Sequence, residues 1–347
     1  MFNDTDYVWK KKVIVSYSLS ILVFWIHCST FANYEPLPLW VKTIAVFFKD
    51  VITPVAVPLF MIISGALFYR NYSKIQYCSK IKKRFYSLFI PFILWNSINM
   101  LFLIIATAFL SQYFIGREPF VFSTVNIVEG IFRFKYNIPF WFVFDLIIFT
   151  IIAPLFYFII CRKKIAICAI VLIYLYNSMY ETRLSELFFF NKRFVIYYMV
   201  GAYVGRYAFN DFIKKSTYKT SFMCFLCLLV VWAYYTAVSF KIIQNPYFLN
   251  VPVLLFACYC IWNVFDALCD TIELKPFMTH SLWVFALHTN ISAIITKLLY
   301  IILPKTAVFS LLNFMVTTVL TLITIELIYI STEKAFPMAC RLLSGGR

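Results

Sequence analysis

The chain has 347 residues, of which 63% are hydrophobic and 13% are charged, and it carries a net charge of +16 at pH 7. So few charged residues do not cover a water-exposed surface, which excludes a soluble globular protein. The basic residues cluster in short segments beside apolar stretches, where membrane topology and anionic lipid account for them. We therefore expect membrane lipids, and not nucleic acid, among the partners of this chain.

The apolar stretches predict transmembrane helices. They show no period-two alternation, and a backbone in lipid must satisfy its hydrogen bonds internally, so they favour helices. For a hydrocarbon core of about 30 Å, the sequence predicts an all-α polytopic integral membrane protein of about ten helices, with one domain over residues 1–347. The predicted spans are 13–31, 44–69, 85–110, 139–161, 165–180, 194–209, 221–240, 250–266, 281–302 and 307–330.

The distribution of Lys and Arg predicts the orientation of these spans. Cytoplasmic loops accumulate basic residues, and the hydropathy pattern does not use charge, so the two criteria are independent. With an even number of helices and the N-terminus inside, the cytoplasmic side holds about twice as many basic residues as the other side. Both termini are therefore expected in the cytoplasm.

The first predicted span contains His27, and the fourth contains Asp145. Ionisable side chains inside a membrane helix are costly and usually serve function. At a rise of about 1.5 Å per residue, His27 lies about 6 Å and Asp145 about 9 Å below the outer ends of their helices. A carboxylate that orients a histidine makes it a general base for a hydroxyl proton. We hypothesise that His27 and Asp145 form this catalytic pair. Separate packing of the two residues in helix interfaces is the alternative.

The second predicted span contains Pro54 and Pro58, followed by Ser64 and Gly65. Proline removes backbone hydrogen bonds and glycine allows helices to approach closely. This span is therefore expected to be kinked and to line a pore.

A basic cluster, Lys82, Lys83 and Arg84, ends the cytoplasmic segment before the third span. Clustered cations on this side suit a phosphorylated cytosolic ligand such as coenzyme A. A positive-inside topology signal is the alternative explanation of the same residues.

The longest segment between predicted helices, residues 111–138, is expected to face outward. It contains Ile127, Ile131 and Phe132 at helical spacing, which indicates a helix that lies on the membrane surface or dips inward. An ordinary loop is the alternative.

His288, in the ninth predicted span, lies about 10 Å from the cytoplasmic end by the same rise per residue. It is expected either to line a cavity or to bond a neighbouring helix.

Most of the ten cysteines lie inside predicted helices, where they are expected to pack. The Cys224 and Cys227 spacing has no second pair or histidine nearby, so no metal site is predicted.

Six short segments occur in the order and spacing of landmarks known from one family. The first is the apolar run 21–27 that ends on His27, and the second, 56–65, is an apolar run that ends in Ser-Gly. The others are a basic helix entry, a Trp-Phe segment and two later landmarks, at 83–91, 140–143, 201–205 and 284–288. Together they resemble the acyltransferase-3 family over nearly the whole chain.

The resemblance implies a reaction and a set of site residues. The reaction is transfer of an acyl group, commonly acetyl, from cytosolic acyl-CoA to a hydroxyl group of a cell-surface or lipid-linked saccharide. His27 would be the catalytic base, and the chain would be a multi-pass protein of the cell membrane, such as a bacterial plasma or inner membrane. The residues implied for donor binding are Lys82, Lys83 and Arg84 at the phosphates of coenzyme A, with Ser64 and Trp141 along the acyl path.

The chain departs from the family pattern at three places. Ser16 and Ser87 stand where family members usually carry arginine, and Pro139 and Phe140 stand where a histidine is expected. These departures keep a catalytically degenerate member open as an alternative. A transporter or flippase of a lipid-linked saccharide would also combine many helices with intramembrane charges. Direct transfer and a covalent acyl-enzyme both remain compatible with the sequence.

Overall fold

The computed structural model describes residues 4–28, 30–34, 36–73, 75–109, 120–179 and 192–346. Within these ranges the regular structure is entirely helical and contains no β-strand, which confirms the all-α prediction. Short 3₁₀ and π-helical turns join several of the α-helices. The α-helices are α1 (Asp4–His27), α2 (Leu39–Val46), α3 (Ala56–Tyr69), α4 (Tyr77–Arg84), α5 (Ile90–Phe109), α6 (Thr124–Phe132), α7 (Trp141–Ile151), α8 (Ala153–Ile160), α9 (Lys163–Met179), α10 (Val195–Tyr207), α11 (Phe209–Ile213), α12 (Tyr218–Ser239), α13 (Tyr247–Thr271), α14 (Ser281–Ile302), α15 (Ala307–Ala335) and α16 (Pro337–Leu343).

Seven helical stretches of the described chain are long and apolar enough to cross a membrane. They are α1, α2 with α3, α4 with α5, α12, α13, α14 and α15, with the short turns that adjoin α1 and α14. The pair of α7 and α8, bent by 66°, adds an eighth if it counts as one span. These stretches support a multi-pass membrane protein.

The fifth and sixth predicted spans correspond to the shorter helices α9 and α10, which have 17 and 13 residues. A helix of the length of α10 covers only about 20 Å, which is less than a hydrocarbon core of about 30 Å. The count of ten spans and the cytoplasmic position of both termini therefore stay predictions. The predicted ends at Leu110 and Tyr180 lie outside the described residues.

Prolines interrupt two of the spans. The second span stops at Val51 and resumes as α3 at Ala56, with Pro54 between them. Proline has no N–H to donate and its ring clashes with the preceding turn, so the helix is interrupted where the sequence predicts a kink. Pro154 in the first turn of α8 explains the bend between α7 and α8 in the same way.

The chain forms two compact units. The helices α1 and α7 each contribute residues to both. The first unit comprises Met1–Val23, Val46–Ile81 and Ile148–Thr279, and the second comprises Phe24–Ala45, Lys82–Ile147 and His280–Arg347.

In the first unit, α3 and α10 pack with their backbones in contact. A Cβ atom at Gly201 would lie 2.2 Å from the carbonyl oxygen of Ile62, and one at Gly205 would lie 2.3 Å from that of Ala66. Small residues four apart let membrane helices approach this closely. The two glycines therefore set the distance between α3 and α10.

The first unit also buries an ion pair. The ammonium of Lys11 on α1 lies 2.6 Å from a carboxylate oxygen of Asp266 on α13, and each side chain is 1% exposed. The Tyr7 hydroxyl and the Ser216 backbone N–H donate to the same carboxylate. The Lys11 ammonium also lies 3.9 Å from the ring centroid of Trp262. Both charges are thus compensated inside the unit.

In the second unit, α14 and α15 pack side by side with buried polar groups between them. The Thr296 hydroxyl lies 3.2 Å from that of Thr30 and 3.4 Å from that of Thr317. The Asn313 amide donates to the Thr296 carbonyl oxygen at 3.2 Å and to the Tyr34 hydroxyl at 3.1 Å. Hydrogen bonds of this kind across membrane helices hold them in one register.

The helix α6 confirms the helical interpretation of the predicted outer segment, of which residues 110–119 lie outside the described residues. The Ser123 side chain accepts a hydrogen bond from the Asn126 N–H at 3.1 Å and caps its first turn. Gly130 is the one residue of α6 that is buried. On its exposed side, the hydrogen bond from the Lys135 ammonium at 2.7 Å holds the pKa of Glu129 below its ordinary value. The helix therefore lies on the periphery of the second unit.

Candidate functional site

The two residues predicted as catalytic both belong to the second unit. His27 is the last residue of α1 and is half-buried. Asp145 lies in α7, one turn after Trp141, and is 2% exposed. A carboxyl group this deeply buried is costly without compensation, which is consistent with a functional role. The hydrogen-bonded pairing of His27 with Asp145 stays a prediction.

The residues predicted to bind the donor lie on three helices. Lys82 and Lys83 are exposed in the last turn of α4, and Arg84, its final residue, is half-buried. Trp141 is the half-buried first residue of α7, also in the second unit, whereas Ser64 on α3 is half-buried in the first unit.

The ring of His27 lies beside that of another histidine. The ring centroids of His27 and His288 are 5.6 Å apart, and His288 is fully buried. Nδ1 of His288 lies 3.0 Å from the carbonyl oxygen of Val284, so it donates its proton there. This bond makes Nε2 the acceptor nitrogen of a neutral ring. Among the described residues Nε2 has no hydrogen-bond partner.

Aromatic rings surround the two histidines. The ring of Phe24 lies 5.9 Å and that of Phe285 lies 6.2 Å from the ring of His288. Phe285 in turn lies 5.6 Å from Phe140 and 5.8 Å from Phe142, which flank Trp141. The structure therefore brings the histidines and the start of α7 to one apolar region of the second unit. Electrostatic interactions are stronger in such a region than in water.

The depth that the sequence predicted for His288 relative to His27 is wrong. Counting residues along straight helices placed His27 near the outer end of its span and His288 closer to the cytoplasmic end of its own. The ring contact contradicts that separation. Such counts ignore helix tilt and depend on where a helix ends, and α1 ends at His27 rather than at the predicted residue 31.

Sequence reasoning also missed two buried asparagines, Asn96 on α5 and Asn137 just before α7. Their side chains are 1% and 2% exposed, and each carries amide atoms without a hydrogen-bond partner among the described residues. Asparagine, unlike an ionisable residue, does not stand out in an apolar sequence. Within the described ranges no group of three or more His, Cys, Asp or Glu side chains is suited to hold a metal ion.

The comparisons with known proteins agree with the residues quoted above. A family model described as an acyltransferase domain, that of the acyltransferase-3 family, matches residues 19–332. Neither a curated protein nor a solved structure gave a significant match. The family match spans most of the chain, from α1 to the last turns of α15, and includes His27, Asp145 and His288. This chain is therefore a member of the acyltransferase-3 family.

Proposed function

We propose that the protein transfers an acyl group, most simply acetyl, from cytosolic acyl-CoA to a hydroxyl group of a cell-surface or lipid-linked saccharide. Family membership supports acyl transfer in general. The observation that carries the proposal is the contact of half-buried His27 with fully buried His288 inside an aromatic region. Of the two rings, His27 is the one that a substrate reaches.

In the proposed reaction, His27 removes the proton of the acceptor hydroxyl group. The acceptor oxygen attacks the thioester carbon, and the tetrahedral intermediate collapses with loss of the coenzyme A thiolate. The thiolate takes the proton back from His27, so the base is regenerated and the products are an ester and free coenzyme A. Asp145 is proposed to orient the imidazole and to stabilise its charged form, as a carboxylate does in other general-base systems.

For donor binding, we propose that Lys82, Lys83 and Arg84 contact the phosphate groups of coenzyme A. The exposure of Lys82 and Lys83 supports this role, because a soluble donor must reach them. Trp141, in the same unit as the proposed base, is proposed to line the path of the acyl chain, and the same role of Ser64 stays an expectation from the family resemblance. The saccharide is expected on the outer side, so that donor and acceptor reach the reaction from opposite faces of the membrane.

The test compares the full-length protein with His27→Ala and His280→Ala in lipid nanodiscs supplied with acetyl-CoA. His280 is a suitable control because it lies in the same unit and pairs with Glu326 at 2.8 Å, away from the proposed chemistry. Release of the coenzyme A thiol should be lost in His27→Ala and retained in His280→Ala. In cells, mass spectrometry of surface glycans should show loss of one ester with His27→Ala.

Two results would contradict the proposal. Full thiol release by His27→Ala would remove His27 as the base. An unchanged ester pattern in cells that lack the gene, together with accumulation of lipid-linked saccharide on the cytoplasmic side, would favour a flippase. A wild-type protein that releases no thiol and alters no glycan would be a degenerate family member.

A further inference from the structure

Three buried amide atoms in the second unit have no hydrogen-bond partner among the described residues. They are Oδ1 of Asn96 and both Nδ2 and Oδ1 of Asn137. The two side chains are 1% and 2% exposed. Buried amide groups in native proteins are nearly always hydrogen-bonded, so a group of unpaired atoms calls for an explanation.

Asn96 lies where α5 contacts the end of α6, and Asn137 lies in the segment that joins α6 to α7. Nδ2 of Asn96 donates to the carbonyl oxygen of Ile131 at 3.0 Å, at the end of α6. One turn earlier on α5, the ring of Phe92 lies 6.2 Å from that of Phe140. Asn137 lies between Ile131 and Phe140 in the chain, and hence between the two points where this segment touches α5.

The backbone around Asn137 is held in place by hydrogen bonds. Its N–H donates to the Phe134 carbonyl oxygen at 2.9 Å, and its own carbonyl oxygen accepts from the Phe140 N–H at 2.9 Å. The main chain on both sides is thus satisfied while the side-chain amide is not. A rigid backbone that presents an unsatisfied amide is typical of a binding group.

Other buried asparagines of the same unit are fully engaged, which sets Asn96 and Asn137 apart. Asn99, one turn after Asn96 on α5, donates to the Trp95 carbonyl oxygen at 2.9 Å and accepts from Asn290. Asn313 donates to Thr296 and Tyr34. Among the buried asparagines that the structure describes in this unit, unpaired amide atoms therefore occur at Asn96 and Asn137.

We propose that Asn96 and Asn137 form a subsite that binds hydroxyl groups of the saccharide acceptor. A hydroxyl group donates and accepts at one oxygen, so adjacent sugar hydroxyls match an amide that offers N–H donors beside a carbonyl acceptor. The second acceptor, Oδ1 of Asn96, accepts a hydrogen bond from a further hydroxyl group. This inference rests on the proposed acyl transfer to a saccharide.

The subsite is connected to the histidines through ring contacts. Phe140, which follows Asn137 by three residues, lies 5.6 Å from Phe285, and Phe285 lies 6.2 Å from His288. His288 contacts His27 at 5.6 Å. A saccharide bound at Asn137 therefore lies on the same side of the second unit as the proposed base.

Access to the two amides depends on α6. This helix buries only Gly130, and elements with few buried contacts open at low cost in free energy. A Cβ atom at Gly130 would lie 2.9 Å from Sδ of Met100 on α5, so the glycine marks where α6 rests on α5. The subsite opens to a saccharide when α6 separates from α5 at this point.

The test uses Asn137→Leu, which keeps the branching and the number of heavy atoms of the side chain and removes its polar atoms. Replacing an unsatisfied buried amide by an apolar group of similar shape is neutral or stabilising, so this variant should unfold at the wild-type temperature or above it. Asn99→Leu is the matched control. It removes an engaged amide and leaves Asn290 unpaired, so it should lower the unfolding temperature without affecting the acceptor.

The kinetic readout is acetyl transfer from acetyl-CoA to a panel of methyl hexosides by the full-length protein in nanodiscs. For the hexoside that the wild type acetylates fastest, Asn137→Leu should raise KM about tenfold, the effect of one or two lost hydrogen bonds. Release of coenzyme A to water, measured without a hexoside, should stay at the wild-type rate. Asn99→Leu should leave KM unchanged.

An unchanged KM in Asn137→Leu would overturn the subsite and would show that the amides bind only water. An equal fall in transfer and in hydrolysis would also overturn it, because the defect would then lie in catalysis or folding. If the wild type neither transfers nor hydrolyses, the proposed function fails, and binding of the same hexosides by saturation-transfer NMR decides the subsite. Signals present in the wild type and absent in Asn137→Leu would support it, and equal or absent signals would overturn it.

Discussion

The ammonium of Lys11 and the carboxylate of Asp266, 255 positions apart in the chain, lie 2.6 Å from each other, and both side chains are 1% exposed. Asp266 receives two further hydrogen bonds, from Tyr7 and Ser216. The pair joins α1 to α13 in the first unit. A charge left alone at this site would have no solvent to stabilise it.

We therefore expect Lys11→Met to destabilise the protein by about 3–5 kcal/mol, because it leaves the Asp266 carboxylate buried and uncompensated. The double variant Lys11→Met with Asp266→Leu should recover much of this loss, since it removes both charges. Thermal unfolding of the full-length protein in nanodiscs measures both effects. Equal losses in the single and double variants would contradict a role for charge compensation.

Gly201→Ala should separate α3 from α10. Its Cβ would lie 2.2 Å from a backbone oxygen of Ile62, and backbone does not move aside as a side chain does. We expect a loss of about 1–3 kcal/mol, the usual result of overpacking. Gly130→Ala is the control: its nearest atom is the flexible Sδ of Met100, at 2.9 Å, so its loss should be smaller. Unfolding temperatures that rank the variants in the reverse order would show that the glycines do not set this packing.

Asp145→Asn tests the proposed partner of His27. The change keeps the volume of the side chain and removes the negative charge that would stabilise a protonated imidazole. We expect the rate of coenzyme A release to fall at least about tenfold, within the usual contribution of general-base catalysis. An unfolding temperature near that of the wild type would show that the variant folds. Full coenzyme A release by Asp145→Asn would contradict the hypothesis of a His27–Asp145 pair.

His288→Phe tests whether the second histidine serves the first. Phenylalanine keeps the packing against Phe24 and Phe285 and removes Nε2, the acceptor nitrogen beside His27. We expect kcat to fall about tenfold while the KM for acetyl-CoA stays unchanged, because a positioning residue of the base acts on the chemical step. A rise in KM for acetyl-CoA with kcat intact would instead place His288 in donor binding.

Much of the secondary structure was readable from the sequence. The apolar runs predicted an all-helical chain, Pro54 predicted the break before α3, and the spacing of Ile127, Ile131 and Phe132 predicted α6. These features depend on neighbours within a few residues of one another. The described helices at 163–179 and 195–207 are shorter than the seven stretches that are long enough to cross a membrane, so the predicted fifth and sixth spans stay predictions.

The family was readable as well, because it depends on the order of short segments along the chain. His27 and Asp145 stood out in the sequence since ionisable groups are rare inside apolar helices. His288 stood out for the same reason, but its contact with His27 did not, because a contact between distant helices depends on their tilt and rotation. Hydropathy carries little information about either.

The sequence by itself determined the helical class, the membrane-spanning character and the family of this protein, because hydropathy and local motifs act over short stretches of chain. The tertiary structure alone decided which buried polar groups meet: Lys11 with Asp266, and His27 with His288. It also decided which buried amide atoms find no partner among the described residues, above all Oδ1 of Asn96 and both amide atoms of Asn137. Whether a buried polar atom is satisfied depends on atoms from other helices, and only the packed chain supplies them.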